Sequence, residues 1–258
     1  GKAPELKADE LAMRKARRDQ ARKTHQEALD AGDFALAQKM AQRIISYTPE
    51  MVEETKQLLD LLGVPWVAAK AEGEGQAAVM AKIGQLDAVA TQDWDALLYG
   101  TPVLIRNMMT AGNKQHGRVV KAQKIVLEDL LSQHELSRDQ LIDLAIMIGT
   151  DFHPGIRGIG PKTGIKLIKQ FGDIETICAE KDKEVPQRLD EIREIFRNHP
   201  SNEVSSDALQ MGEIDVAGLK QFLQVDRQFS QRRMDNAMEK LTNAGLIRES
   251  GQTSLFSF

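Results

Sequence analysis

A single cysteine, Cys178, stands in 258 residues. No internal disulfide can form, so the fold must rest on its core and hydrogen bonds, and a reducing, intracellular compartment is expected. No apolar run approaches the roughly 18 residues of a membrane span; the longest candidates, such as Leu144 to Ile148, are core-sized. No basic-then-apolar leader opens the chain, and no membrane partner is expected. Glycine (19) and proline (8) are too sparse for a collagen-like or disordered chain. The apolar (41%) and charged (28%) fractions are those of a folded globular protein, and the length suits one large domain or two modest ones.

The net charge of −4 argues against a nucleic-acid partner, because counterion release rewards a positive face. The distribution says otherwise. Between Leu11 and Gln26 lie Arg14, Lys15, Arg17, Arg18, Arg22 and Lys23 against one acid, Asp19. Between Ile156 and Phe171 lie Arg157, Lys162, Lys166 and Lys169 against none. Several acids occur in pairs that bound cations could offset.

The first 62 residues read as three helices, Lys7 to Ala31, Phe34 to Tyr47 and Pro49 to Leu62, punctuated by Gly32, Asp33 and Gly63. The first has too few large apolar residues to sit on a core and is expected to project a basic face into solvent. From Val64, short apolar runs alternate with a helix: Val64 to Ala69, the helix Glu72 to Ile83, Leu86 to Thr91, then Pro102 to Met108. That alternation predicts an α/β fold with a parallel sheet. A helix capped by Ser137 runs to Ile148, and mostly helical sequence continues from Gly164 to about Leu246. Residues from Arg248 onward read as an extended tail.

In an open parallel sheet the ligand site lies beyond the carboxyl ends of the strands. Two such places carry paired acids, Glu72 with Glu74 and Asp93 with Asp95, and Asp151 follows the helix ending at Ile148. If these ends converge, five carboxylates share a small space and need divalent cations; oxygen ligands alone favour magnesium or manganese. One such pair by itself is more often a solvated surface or a helix N-terminus, and spacing alone leaves both readings open. Tyr99, His153 and Trp94, nearby in sequence, read as packing residues. The run G-I-R-G-I-G-P-K-T-G from Gly155 has the form of a helix-hairpin-helix turn, whose glycines and following helix N-terminus suit a DNA phosphate, with Lys162 adding charge.

The motifs A-E-G-E-G-Q, T-Q-D-W-D-A-L-L-Y-G, I-M-I-G-T-D-F and G-I-R-G-I-G-P-K, in that order, resemble those of the structure-specific 5′ nucleases, and most closely the flap endonucleases of archaea and eukaryotes. The likeness covers essentially the whole chain. It implies a PIN-like α/β nuclease core and a magnesium-dependent phosphodiesterase that removes 5′ flaps from branched DNA in Okazaki-fragment maturation and base-excision repair. Glu72, Glu74, Asp93, Asp95 and Asp151 match the family's metal-binding carboxylates, for two magnesium ions that manganese can replace. Lys7 and Arg14 match catalytic basic residues reaching the scissile phosphate, and Arg17 and Arg18 continue that DNA-binding face. Gly158, Gly160 and Lys162 would hold the duplex, with potassium at the turn, and Arg227 and Arg233 would belong to a pocket for a 3′ flap. Gln252, Leu255 and Phe258 resemble a sliding-clamp (PCNA) binding box.

The resemblance divides the chain into a helical arch and following helix (1–62), a metal-binding core (63–152), a helix-hairpin-helix and C-terminal helical region (153–247) and a clamp-binding tail (248–258). It implies a monomer, cytoplasmic in an archaeon and nuclear in a eukaryote. The family's N-terminal strands and two further metal-ligating aspartates have no counterpart here, so the expectation is a piece of a longer chain. The alternative is a non-catalytic fragment that binds branched DNA and the clamp.

Overall fold

The computed structural model describes residues 5–115 and 118–247. In chain order come α1 (Ala8–Asp30), α2 (Phe34–Ile44), α3 (Pro49–Leu61), α4 (Gly73–Lys82), β1 (Val89–Ala90), α5 (Asp95–Leu98) and β2 (Val103–Arg106). Short strands β3 (Lys114–Gln115) and β4 (Arg118–Val119) precede β5 (Gln123–Val126), α6 (Leu127–His134) and α7 (Arg138–Ile148). The remainder is helical: α8 (Pro161–Phe171), α9 (Ile174–Glu180), α10 (Leu189–Arg197), α11 (Val216–Lys220) and α12 (Gln231–Asn243), with a π-helical turn, Gln221–Asp226, continuing α11. The clamp-box residues Gln252, Leu255 and Phe258 lie outside the described residues.

Packing divides the chain into two compact units. The described residues of Gly1–Ile44 and Ala68–Glu203 form the first, and those of Ile45–Val67 and Val204–Phe258 the second. The motif-based division at 62, 152 and 247 follows sequence signatures instead.

In the first unit, α1 and α2 form a hairpin turned by Gly32, whose positive φ of 72° suits glycine. The helices meet through small or flexible residues, Ala21 and Ala28 against Ala37 and Met40, all buried. Leu11, Met13 and Leu29 stay exposed, as expected for a helix with little apolar surface to bury. The three-stranded sheet has the order β1-β2-β5. β1 and β2 run parallel in the register Val89↔Leu104, with α5 in the crossover. β5, however, is antiparallel to β2, pairing Val103↔Val126 through Arg106↔Gln123, so the sheet is mixed rather than parallel. The reason is the connection. The β3–β4 ladder, not a helical crossover, joins β2 to β5, and the chain returns in the opposite direction.

A small cluster of Val89, Ala96, Leu97, Leu104 and Leu127 lies on this sheet. The larger core surrounds α7, where Ile142, Ile146 and Met147 meet Ile168, Ile174, Ile177 and Phe196. Each such fully buried side chain contributes about 1.5–3 kcal/mol by leaving water. Ser137 caps α7 in a reciprocal capping box with Gln140, as the sequence anticipates. Gly164 lets α8 approach closely, since a β-carbon there would meet Leu144 Cδ1 at 2.6 Å.

The second unit joins α3 to α11. Thr48 accepts a hydrogen bond from Met51 N and Pro49 occupies the first turn of α3. Beyond the helix, Gly212 N donates to Gly63 O (2.7 Å) and Asp215 N to Leu61 O (2.9 Å). Gly63 has a φ of 64°, and a β-carbon there would collide with the Gly212 carbonyl. The strand expected from Val64 to Ala69 is absent. Val64 N is bound to Leu59 O in the end of α3, Pro65 has no N–H to give a ladder, and the Ala68 carbonyl accepts from the Asn202 side chain (2.7 Å).

Candidate active site

The starts of α4 and α5 and the end of α7, all in the first unit, bring the acidic residues to one region. Glu72 is the N-cap residue of α4 and Glu74 lies in its first turn, where unpaired backbone N–H groups favour negative charge. Asp95 opens α5, and its backbone N–H donates to Asp93 (3.1 Å), which fixes the second pair. Asp151 follows α7 through Gly149, whose φ of 123° few side chains tolerate.

Lys7, in the 3-10 turn that precedes α1, joins the acids. Its Nζ stands 3.0 Å from Glu72 Oε2 and 2.9 Å from Asp151 Oδ2, and its side chain is largely buried. Two carboxylates separated by 79 positions in sequence therefore converge on one cation. Seven residues further on, on the same face of α1, Arg14 donates to the other Asp151 oxygen (2.8 Å) and to Glu10 (2.8 Å). Burial disfavours the Lys7 ammonium, but its bonds to Asp151 and Glu72 outweigh burial and hold its pKa above the ordinary lysine value.

The remaining acids are short of positive charge. Burial, then Asp93, Asp151 and Glu74, push the Asp95 carboxyl up to about 7. Burial also raises Glu74, partly opposed by a hydrogen bond from Thr91 Oγ1 (2.8 Å). Beneath them the Tyr99 hydroxyl is held strongly in its neutral form, by burial first and then by Glu72 and Asp95.

Among the described residues, no three His, Cys, Asp or Glu side chains stand close enough to form a ready metal cage. The Lys7 ammonium, rather than a third acid, completes the Glu72–Asp151 pair. The donor chemistry nonetheless fits hard divalent cations. The donors are all carboxylate oxygens, five acids faced by the two cations Lys7 and Arg14.

The supports are a second layer that the sequence reading missed. Thr91 ties the two pairs together, accepting from Asp93 N (3.1 Å) while donating to Glu74. His199 is buried under α4, packing edge-on to Tyr99 at 4.8 Å between ring centroids. Its ring nitrogens lie near the backbone of Glu72 and Ile195 without a well-formed hydrogen bond, and burial lowers its pKa. A β-carbon at Gly75 would strike that ring, so the second glycine of E-G-E-G is required by a contact 124 positions away. Of the residues read as packing, Tyr99 is buried against Phe196, and His153 accepts from Gly155 N (3.1 Å). Trp94 differs, being about half exposed beside the exposed Asp93.

The glycine turn joins α7 to α8. Gly155 and Gly158 have φ values of 90° and 88°, and a β-carbon on Gly155 would crowd the Ile148 carbonyl. Gly160 is the N-cap residue of α8 and Pro161 starts the helix, whose first N–H groups have no side-chain cap, next to the exposed Lys162. Arg17 and Arg18, together with Arg43, line a cleft of about 580 Å³ between α1 and α2. Arg227 and Arg233 belong to the second unit, where Arg227 pairs with Glu54 (2.8 Å) and lies over Phe222, and Arg233 lies over Phe229.

Acids gathered at helix and strand ends, faced by lysine and arginine from a projecting helix and followed by a helix-hairpin-helix turn, define the structure-specific nuclease class. The XPG I-region family model matches residues 63–151, which span all five acids. The chain is 40% identical to flap endonuclease 1 of Methanosarcina acetivorans over 96% of its own length and 74% of that protein. It is 39% identical to flap endonuclease 1 of Pyrococcus abyssi over its full length and 75% of that protein. Among solved structures, flap endonuclease-1 from Methanococcus jannaschii matches with a TM-score of 0.64 and 37% identity, covering 82% of this chain and 63% of that one. The catalytic core of Rad2 in complex with DNA substrate shares the fold, with a TM-score of 0.66 at 21% identity, over 96% of this chain and 77% of that one. The chain belongs to the flap endonuclease 1 family.

Proposed function

We propose that the chain is a structure-specific 5′ flap endonuclease, acting in Okazaki-fragment maturation and base-excision repair, and that it hydrolyses DNA phosphodiesters with two magnesium ions held by Glu72, Glu74, Asp93, Asp95 and Asp151. The observation that carries this reading is the convergence of Glu72 and Asp151 on the Lys7 ammonium, within reach of Arg14. When bound, the metals supply an activated water and stabilise the leaving oxygen. Lys7 and Arg14 bind the scissile phosphate and neutralise the charge that develops on it, with no protein nucleophile. Both cations already sit at the acids, so metal and phosphate would arrive at groups that the fold has oriented. Manganese would replace magnesium, since both take the same oxygen donors.

Gly158, Gly160 and Lys162 hold the backbone of the duplex, with potassium able to sit at the glycine turn, and Arg17 and Arg18 line the path of the single strand. Arg227 and Arg233 serve a 3′ flap, and Gln252, Leu255 and Phe258 dock on the sliding clamp through an aliphatic and an aromatic anchor. No helix among the described residues is long and apolar enough to cross a membrane.

The test is magnesium-dependent release of a labelled 5′ flap by the full-length protein. Glu72→Gln and Asp151→Asn are expected to abolish cleavage while flap binding persists. Cleavage near the wild-type rate in either variant contradicts the metal assignment.

A further inference from the structure

Arg138 belongs to none of the acid pairs, yet its side chain joins elements that carry them. It opens α7, half-buried, and its guanidinium crosses to the ends of two other helices. Nη2 donates to the Leu98 carbonyl (2.9 Å) at the end of α5 and to the Phe196 carbonyl (2.7 Å) in the last turn of α10, and Nε adds a longer bond to Leu98 (3.3 Å). Carbonyls in the last turn of a helix have no partner within it, and a cation there also faces the negative end of the helix dipole. The final glycine of D-W-D-A-L-L-Y-G serves this contact. Gly100 has a φ of 92°, and a β-carbon there would come within 3.0 Å of the guanidinium.

Both carbonyls lead back to acids of the proposed metal site. Asp95 is the first residue of α5 and Leu98 the last. A helix of one turn has too few internal hydrogen bonds to fix its own position. Burial of Ala96, Leu97 and Leu98 holds α5 to the core but is non-directional, so the directed, charge-assisted bonds at its end set where Asp95 stands. Phe196 reaches the other acid. Its buried ring packs on Tyr99 at 5.1 Å and on Phe152 at 5.4 Å between centroids, and Phe152 follows Asp151 in the chain.

We propose that Arg138 is a positioning residue for metal binding: by holding the carbonyls of Leu98 and Phe196 together, it sets Asp95 relative to Asp151. The role rests on the nuclease reading above, which makes these two acids metal ligands. Arg138 acts through the backbone of α5 and through the Phe196 ring, and takes no part in bond breaking. The planar fork of the guanidinium spans two carbonyls in a way that a single ammonium does not.

The test is titration calorimetry of the 258-residue chain with manganese, beside urea melts of the same samples. Arg138→Met is expected to bind manganese about tenfold more weakly while remaining folded, the scale expected when a group that orients a metal ligand is lost. Arg138→Lys, which keeps the charge but not the fork, recovers only part of that loss. Arg197→Met is the control, because Arg197 follows Phe196 at the same end of α10 but pairs with the exposed Asp139 (2.8 Å), and its loss leaves manganese affinity unchanged. Arg138 variants with lowered urea midpoints but wild-type manganese affinity overturn the proposal, as does loss of the folded state in both of them, or equal weakening by Arg197→Met. A wild-type chain that takes up no manganese contradicts the metal assignment itself, and the positioning role with it.

Discussion

Replacing Arg193 by methionine removes a buried cation from the core around α7. Its guanidinium donates twice to Asp143 (2.7 and 2.7 Å) and twice to Glu175 (2.6 and 2.7 Å). The partners differ in what they contribute. Glu175 is half exposed and Asp190 almost fully so, and water screens both pairs to a few tenths of a kcal/mol. Asp143 is 4% exposed and Arg193 7%, so this pair lies out of reach of water. Without Arg193, Asp143 keeps only the Ile174 N–H (3.3 Å), a buried carboxylate with one weak donor. The expected loss is about 3–5 kcal/mol, nearly all from the stranded charge rather than from lost attraction. With a urea slope of about 2 kcal/mol per molar, the unfolding midpoint measured by circular dichroism falls by about 1.5–2.5 M. The paired change Arg193→Met with Asp143→Leu removes the stranded charge and is expected to recover most of that loss. A fall of less than about 0.5 M in the single variant, or no recovery in the double, refutes the reasoning.

The Asp95 carboxyl, raised to about 7, titrates above its unfolded value of 3.8. For a carboxyl raised in this way, the folded state is penalised as pH climbs through that window, and the penalty fades as pH falls back toward 3.8. Asp95→Asn is therefore expected to raise the melting temperature of the metal-free chain by a few degrees at pH 8 and by much less near pH 4.5, checked by thermal melts at both values. A shift independent of pH would count against the crowding of acids. At α4, Gly75→Ala is expected to cost about 1–3 kcal/mol because the His199 ring occupies the space of the new methyl group. Adding His199→Ala should return part of that cost, and strictly additive losses in urea melts would show that the two residues do not share a contact.

Much of the site was legible because its determinants are local. The two acid pairs follow short apolar runs, Ser137 and Pro49 mark helix starts by simple capping chemistry, and the glycine turn carries its own positive-φ requirement at Gly155 and Gly158. The family resemblance supplied the roles of Lys7 and Arg14. What the sequence did not reveal is decided at long range. Val64 to Ala69 has the composition of a strand, but the end of α3 takes up the Val64 N–H before a ladder can form. β5 is antiparallel because of a connection with no periodic signal. The contacts of Thr91 with Glu74, His199 with Gly75 and Arg193 with Asp143 pair residues 17, 124 and 50 positions apart, and no spacing rule reaches them.

The most direct measurement is manganese binding followed by electron paramagnetic resonance, which counts bound ions without requiring turnover. Wild-type chain should take up manganese that magnesium competes away, and the double variant Glu74→Gln, Asp95→Asn should lose at least one ion and weaken the other at least tenfold. Unchanged stoichiometry and affinity in that variant would mean that these carboxylates are not the metal site.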